Sequence, residues 1–134
     1  MNYVQGFNLY DKWLNNLRGG RFIASYFHDN LYRSVAIYGM GVIGIQVYEE
    51  LCKDRIFVSY GIDRNAEKIE VNGLSVVKPD SIIDMEIVDV IVITPFYNYA
   101  EIELSLIPLV DPNTDIVSIE HIVEYVKIFG EIKI

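Results

Sequence analysis

The chain has 134 residues, 51% of them hydrophobic, a formal net charge of −8 at pH 7 and a single cysteine, Cys52. Such a length suits one domain with a real core, and the acidic balance without a basic cluster excludes a binder of nucleic-acid phosphates. No apolar run reaches the length of a membrane span, and one cysteine excludes an internal disulfide framework. The opening residues Met1 to Gln5 have neither a basic region nor an apolar core, so a secretory signal is not expected and a cytoplasmic protein is.

In chain order, residues 1–33 read as an N-terminal helical extension and 34–134 as an α/β domain. Tyr10 to Leu17 reads as a short helix stopped by Gly19-Gly20, and Arg21 to Asp29 as another, with Phe7, Leu9, Trp13, Leu14 and Leu17 supplying an apolar face. Strand and helix then alternate. Val35 to Tyr38 is the first strand, Val42 to Lys53 the first crossover helix, and Ile56 to Ile62 the second strand. Asn72-Gly73 signals a turn before a short third strand, Leu74 to Val77. Pro79 opens a brief helix through Met85, and Val88 to Thr94 is apolar on both faces, as a central parallel strand is. Tyr99 to Leu106 is helical, with Asn98 as its cap. Asp115 to Val117 is the last strand. Ser118 caps a final helix through Phe129 that Gly130 closes. The expectation is a Rossmann-like, doubly wound parallel sheet of about five strands ordered 3-2-1-4-5, with its ligand crevice outside the strand carboxyl ends.

That crevice coincides with the strongest motif. Gly39-Met40-Gly41-Val42-Ile43-Gly44 is a G-x-G-x-x-G between a strand and a helix, and Asp63 ends the second strand about twenty residues further on. Gly39 allows the sharp turn, Gly41 lets a pyrophosphate approach the main chain, and Gly44 allows close helix packing. The helix start offers unpaired N–H groups and a positive dipole end to the phosphates. Met40 and Val42 are candidate walls of the phosphate pocket. Asp63 is expected to accept from ribose hydroxyls and Arg64 to lie against adenine. A carboxylate about 4 Å from a 2′-phosphate is opposed by roughly 4 kcal/mol per unit charge at an effective dielectric near 20, which favours NAD(H) over NADP(H). Thr94 and Pro95, at the end of the fourth strand, are expected to line the same cleft, with an aromatic from the following Phe96, Tyr97 and Tyr99 over base or sugar.

Catalytic groups are not legible. His28 and His121 are isolated, His121 being expected near the cleft side. Cys52 has no nearby histidine, and no metal-ligand spacing occurs. No tyrosine is followed by lysine four positions on, and no G-K-[ST] is present.

On Val35 to Gly44 (Val-Ala-Ile-Tyr-Gly-Met-Gly-Val-Ile-Gly), Gly61 to Asn65 (Gly-Ile-Asp-Arg-Asn) and Val90 to Pro95 (Val-Ile-Val-Ile-Thr-Pro), the chain resembles NAD(P)-binding Rossmann domains of bacterial polysaccharide biosynthesis. It looks like the N-terminal core of nucleotide-sugar epimerase/dehydratases. It is also similar to domains associated with glycosyltransferases, and to the N-terminal domains of sugar acyltransferases. The resemblance implies a dinucleotide or nucleotide-sugar ligand and carries over no catalytic residue. The function expected is that of an NAD(H)-binding protein, accessory or sensory in surface-polysaccharide metabolism. The alternatives are an oxidoreductase or epimerase/dehydratase subunit completed by another chain, and a nucleotide-sugar or CoA-binding module. A homo-oligomer or a partner enzyme subunit fits either. The tail Lys127 to Ile134, where Ile132 and Ile134 alternate with charges, is a candidate edge strand.

Overall fold

Apolar β-branched runs become strands here because helices cover both faces of the sheet they form. The computed structural model describes residues 3–66 and 70–132. Two helices, α1 (Tyr3–Arg18) and α2 (Ala24–Asp29), precede β1 (Ser34–Tyr38), α3 (Val42–Lys53) and β2 (Phe57–Ile62). A hairpin of β3 (Glu70–Val71) and β4 (Leu74–Val77) follows, then β5 (Val90–Ile93), α4 (Tyr99–Leu106), β6 (Asp115–Ser118) and α5 (Ile119–Phe129).

Side chains alternate along each central strand. Val35, Ile37, Val90 and Val92 point into a core with α1, α2, α3 and α5, whereas Ala36, Tyr38, Ile91 and Ile93 point into a second core with α4 and the 3₁₀ turn Pro79–Asp84. Such two-sided burial is what a central parallel strand requires. The N-terminal helices belong to the first core: Leu9, Trp13, Ile23 and Phe27 share it with Val47, Leu51 and Ile122.

The fold is α/β, with a mostly parallel six-stranded sheet in the order β3-β4-β2-β1-β5-β6. Count and order therefore differ from the expected five strands ordered 3-2-1-4-5. The difference is Glu70–Val71, which pairs antiparallel with β4 as an added edge strand. Asn72 (φ 51°) and Gly73 (φ 86°) both adopt positive φ, the two-residue hairpin geometry that Asn-Gly favours. The expected turn is thus also a strand connection. The parallel strands alone lie β4-β2-β1-β5-β6, an arrangement compatible with a Rossmann-like fold.

Other differences have local causes. The first helix is not short: it runs 16 residues from Tyr3, and buried Gly6, Leu9, Trp13 and Asn16 keep helical spacing, so packing overrides the poor helix propensity of Gly6. The second helix begins at Ala24, not Arg21, because Arg21 forms an antiparallel bridge with Ile132. Among the described residues the tail makes one isolated bridge, from Ile132 to Arg21, and Lys133 and Ile134 lie outside them. Asn98 precedes α4 without a side-chain cap bond, after a 3₁₀ turn over Phe96–Asn98. Ser118 does cap α5, its Oγ accepting from Glu120 N at 3.1 Å. Gly130 follows α5 with φ −60°, outside the left-handed region. Its lack of a side chain matters because a Cβ would lie 2.4 Å from the Val126 carbonyl oxygen.

Candidate functional site

Four of the five parallel strands release cavity-side residues at one rim of the sheet: Gly39 follows β1, Asp63 follows β2, Lys78 follows β4 and Thr94 follows β5. The chain runs outward from β1 through β2 to β4, then crosses back to β5 on the other side of β1. The two connections diverge between β1 and β5 and leave a crevice there, where open α/β sheets bind ligands.

Each glycine of the loop has its own steric reason. Gly39 turns with φ +91°, and a Cβ on it would lie 2.5 Å from Thr94 Oγ1 and 2.8 Å from Pro95 Cδ. Gly44 packs the first turn of α3 on the loop, since a Cβ there would come 1.9 Å from the Gly39 carbonyl oxygen. A Cβ on Gly41 would meet nothing within 4 Å. The space beside Gly41 opens into a cavity of about 1090 Å³, whose wall includes Gly39, Gly41, Val42, Ile43, Asp63, Arg64, Thr94 and Pro95.

Met40 departs from its expected place. Its side chain is buried in the first core against Gly61, where a Cβ would lie 2.9 Å from Met40 Cγ, so Gly61 is the hollow that receives it. Only the backbone of Met40 serves the site: its N–H donates to Asp63 Oδ2 at 2.9 Å. Gly44 likewise supports the loop without lining the cavity.

Asp63 is a brace. Its other oxygen, Oδ1, accepts from Asn65 N at 2.9 Å, so one carboxylate ties the glycine loop to the β2 turn. Each oxygen has a second lone pair, which leaves acceptor capacity for a hydroxyl in the cavity. Thr94 braces the opposite rim. Its buried hydroxyl faces the carbonyl oxygens of Tyr38 at 3.0 Å and Gly39 at 2.8 Å, and one proton serves both. Backbone bonds from Gly39 N to Ile62 O (2.7 Å) and Asp63 N to Val77 O (2.9 Å) fix the rim further.

The charges around the cavity are mixed: Arg64 and Lys78 against Asp63, Asp80 and Glu101. A phosphate there would rely on the N–H groups that open α3 more than on net positive charge. Burial raises the pKa of the Tyr38 phenol, opposed by the Arg64 cation, so Tyr38 is a neutral hydrogen-bonding group at physiological pH.

Several lining residues were not legible as site residues. Lys78 and Asp80 were, in principle, reachable, since they follow a parallel strand's carboxyl end. Tyr10 was not: it comes from α1, and no local pattern links that helix to the glycine loop. Tyr97 lines the cavity half-exposed, whereas Phe96 is buried and Tyr99 lies outside the cavity wall, its hydroxyl donating to Glu103 Oε2 at 2.7 Å. His121 lines a separate cavity beside Tyr26, Tyr32 and Asp115, away from the glycine loop. Among the described residues no group of three or more His, Cys, Asp or Glu is placed to hold a metal ion, and no helix is long and apolar enough to cross a membrane. The chain matches no protein-family model and, at a significant level, no curated protein.

Proposed function

We propose that this is a Rossmann-type protein that binds a dinucleotide, NAD(H) in preference to NADP(H), in the crevice between β1 and β5. The observation that carries this reading is the open space at Gly41, flanked by two glycines that tight packing does require. Gly39 and Gly44 are explained by the fold alone. Gly41 is not, and the empty volume in front of it adjoins the uncapped start of α3, where a pyrophosphate would find N–H donors. Asp63 then accepts from the adenosine ribose with its remaining lone pairs, and its charge opposes a 2′-phosphate. Arg64 and Lys78 oppose that selectivity in part.

The role proposed is binding, accessory or sensory, in bacterial surface-polysaccharide or nucleotide-sugar metabolism. The metabolic context rests on the sequence resemblance alone. A second reading, an oxidoreductase or epimerase/dehydratase subunit completed by another chain, is favoured by the exposure of Val42 and Tyr97 at the cavity, which leaves room for a covering partner.

Calorimetric titration with NAD⁺, NADH, NADP⁺, a UDP-sugar and CoA tests the first reading. The expected result is saturable NAD(H) binding that Gly41→Val abolishes. Binding of a UDP-sugar or CoA with no dinucleotide binding below millimolar overturns it.

A further inference from the structure

Helix α1 carries more apolar surface than its own chain covers. Gly6, Leu9, Trp13 and Asn16 face inward. A second stripe runs beside them: Tyr3, Phe7, Tyr10, Leu14 and Leu17, spaced four, three, four and three residues apart, the rhythm of a helix-pairing seam. Leu17 is partly buried, but Tyr3 is 97% exposed, Phe7 67%, Leu14 48% and Tyr10 41%.

The helix cannot roll to hide this stripe. Trp13 Nε1 donates to Glu50 Oε2 at 2.9 Å, and Asn16 Nδ2 donates to the Val123 carbonyl at 3.1 Å, which fixes the rotation of α1 about its axis. Lys12, on another face, is held by Glu124 at 2.9 Å.

We infer that two copies of this chain pair through α1, antiparallel, about a two-fold axis near Tyr10. The stripe is complementary to its own reverse. In that register Tyr3 meets the second copy's Leu17, Phe7 meets its Leu14, and the two Tyr10 side chains meet at the axis. The aromatic half of each seam then lies on the aliphatic half of the other. Tyr3, Val4, Phe7, Tyr10 and Leu14 together expose on the order of 500–700 Å² per chain, given the usual areas of such side chains. Doubled, this is roughly 1,000–1,400 Å², a range centred on the 1,200 Å² at which stable interfaces begin. The patch continues across the Tyr10 side of the cavity to Val42, 77% exposed at the start of α3, so the pairing borders the mouth of the crevice.

Light scattering on the full chain at about 100 µM, a concentration that populates micromolar dimers, gives the first test. The expected mass is twice the 15.4 kDa of one chain. The double variant Phe7→Glu/Leu14→Glu is expected to halve it while keeping a cooperative melt. Independently, Cys52→Ser/Tyr10→Cys is expected to form an interchain disulfide on mild oxidation, and Cys52→Ser/Ile83→Cys to form none. A monomeric wild type overturns the inference, and so does a dimer that survives the double variant. Failure of the Tyr10→Cys chains to cross-link overturns the two-fold register even if a dimer exists.

Discussion

Glu50 in the N-terminal layer and Asp63 at the crevice each accept two N–H donors, yet they sit in opposite surroundings. Glu50 is 5% exposed, and its oxygens take Trp13 Nε1 and Ile23 N, both at 2.9 Å. Asp63 takes Met40 N and Asn65 N at the same 2.9 Å but borders the cavity. A buried carboxylate with both oxygens engaged by its own chain is a structural clamp, here between α1, the α2 approach and α3. The same arrangement beside an open volume leaves lone pairs that a ligand can reach. Access, more than residue type, separates scaffold from site.

Within the glycine loop, Gly44 belongs to the scaffold and Gly41 to the open volume. Gly44→Ala would put a methyl 1.9 Å from the Gly39 carbonyl, backbone against backbone, with nothing flexible to yield. We expect a loss of about 3 kcal/mol or more, seen as a fall in Tm of roughly 10 °C. Gly41→Ala, with φ already at −81° and no atom within 4 Å, should leave Tm nearly unchanged. Its effect should appear instead as weakened dinucleotide binding. Equal destabilisation by both would mean that Gly41 is as tightly packed as its neighbour and that the cavity is not a ligand space.

The carboxylates come next. Glu50→Ala strands two buried N–H donors, an indole and a backbone amide, at roughly 1–3 kcal/mol each. A urea denaturation midpoint should register a loss of about 2–4 kcal/mol. Asp63→Ala releases amides that water can reach from the cavity, so the stability cost should stay near 1 kcal/mol while NAD(H) affinity falls about tenfold or more. Asp63→Asn refines this: it keeps an acceptor oxygen but removes the charge, so NADP(H) should gain on NAD(H). An unchanged ratio of the two affinities would show that Asp63 does not read the ribose 2′ position.

Much of the scaffold was legible because its signals are local. Val42–Lys53, Leu74–Val77 and Tyr99–Leu106 coincide with the elements expected from periodicity and punctuation. What escaped was tertiary. The strand Glu70–Val71 is two residues long and has no pattern of its own; it exists because Asn72-Gly73 folds it onto β4. The first turns of α1 are held by burial of Gly6 and Leu9, a tertiary contact. In the sequence Met40 is a candidate pocket wall, and nothing local distinguishes that role from packing. The hollow at Gly61, distant in sequence, draws it into the core. Likewise Asp63 was legible as a carboxylate at the right strand end. Its grip on Met40 N requires two loops to be seen side by side.

The smallest expected effect tests whether Glu50 is truly the sequestered member of the pair. Burial raises its pKa above the ordinary 4.5, with the nearby Asp54 charge adding to the rise, and the bonds from Ile23 N, Trp13 and Gln46 only partly oppose it. Between 4.5 and the raised folded value, the folded chain holds this proton more tightly than the unfolded chain does. The Glu50 contribution to stability must therefore decline as pH rises through that window, and level off above it. Glu50→Gln has no proton to lose. It keeps one acceptor oxygen and turns its NH₂ toward the other donor, an offset that does not vary with pH. Urea midpoints of wild type and variant from pH 4 to pH 8 should show the wild-type-minus-variant difference falling first and then running flat. A difference that is flat throughout, or that rises with pH, would mean that water or a cation reaches Glu50. The two carboxylates would then differ in position alone.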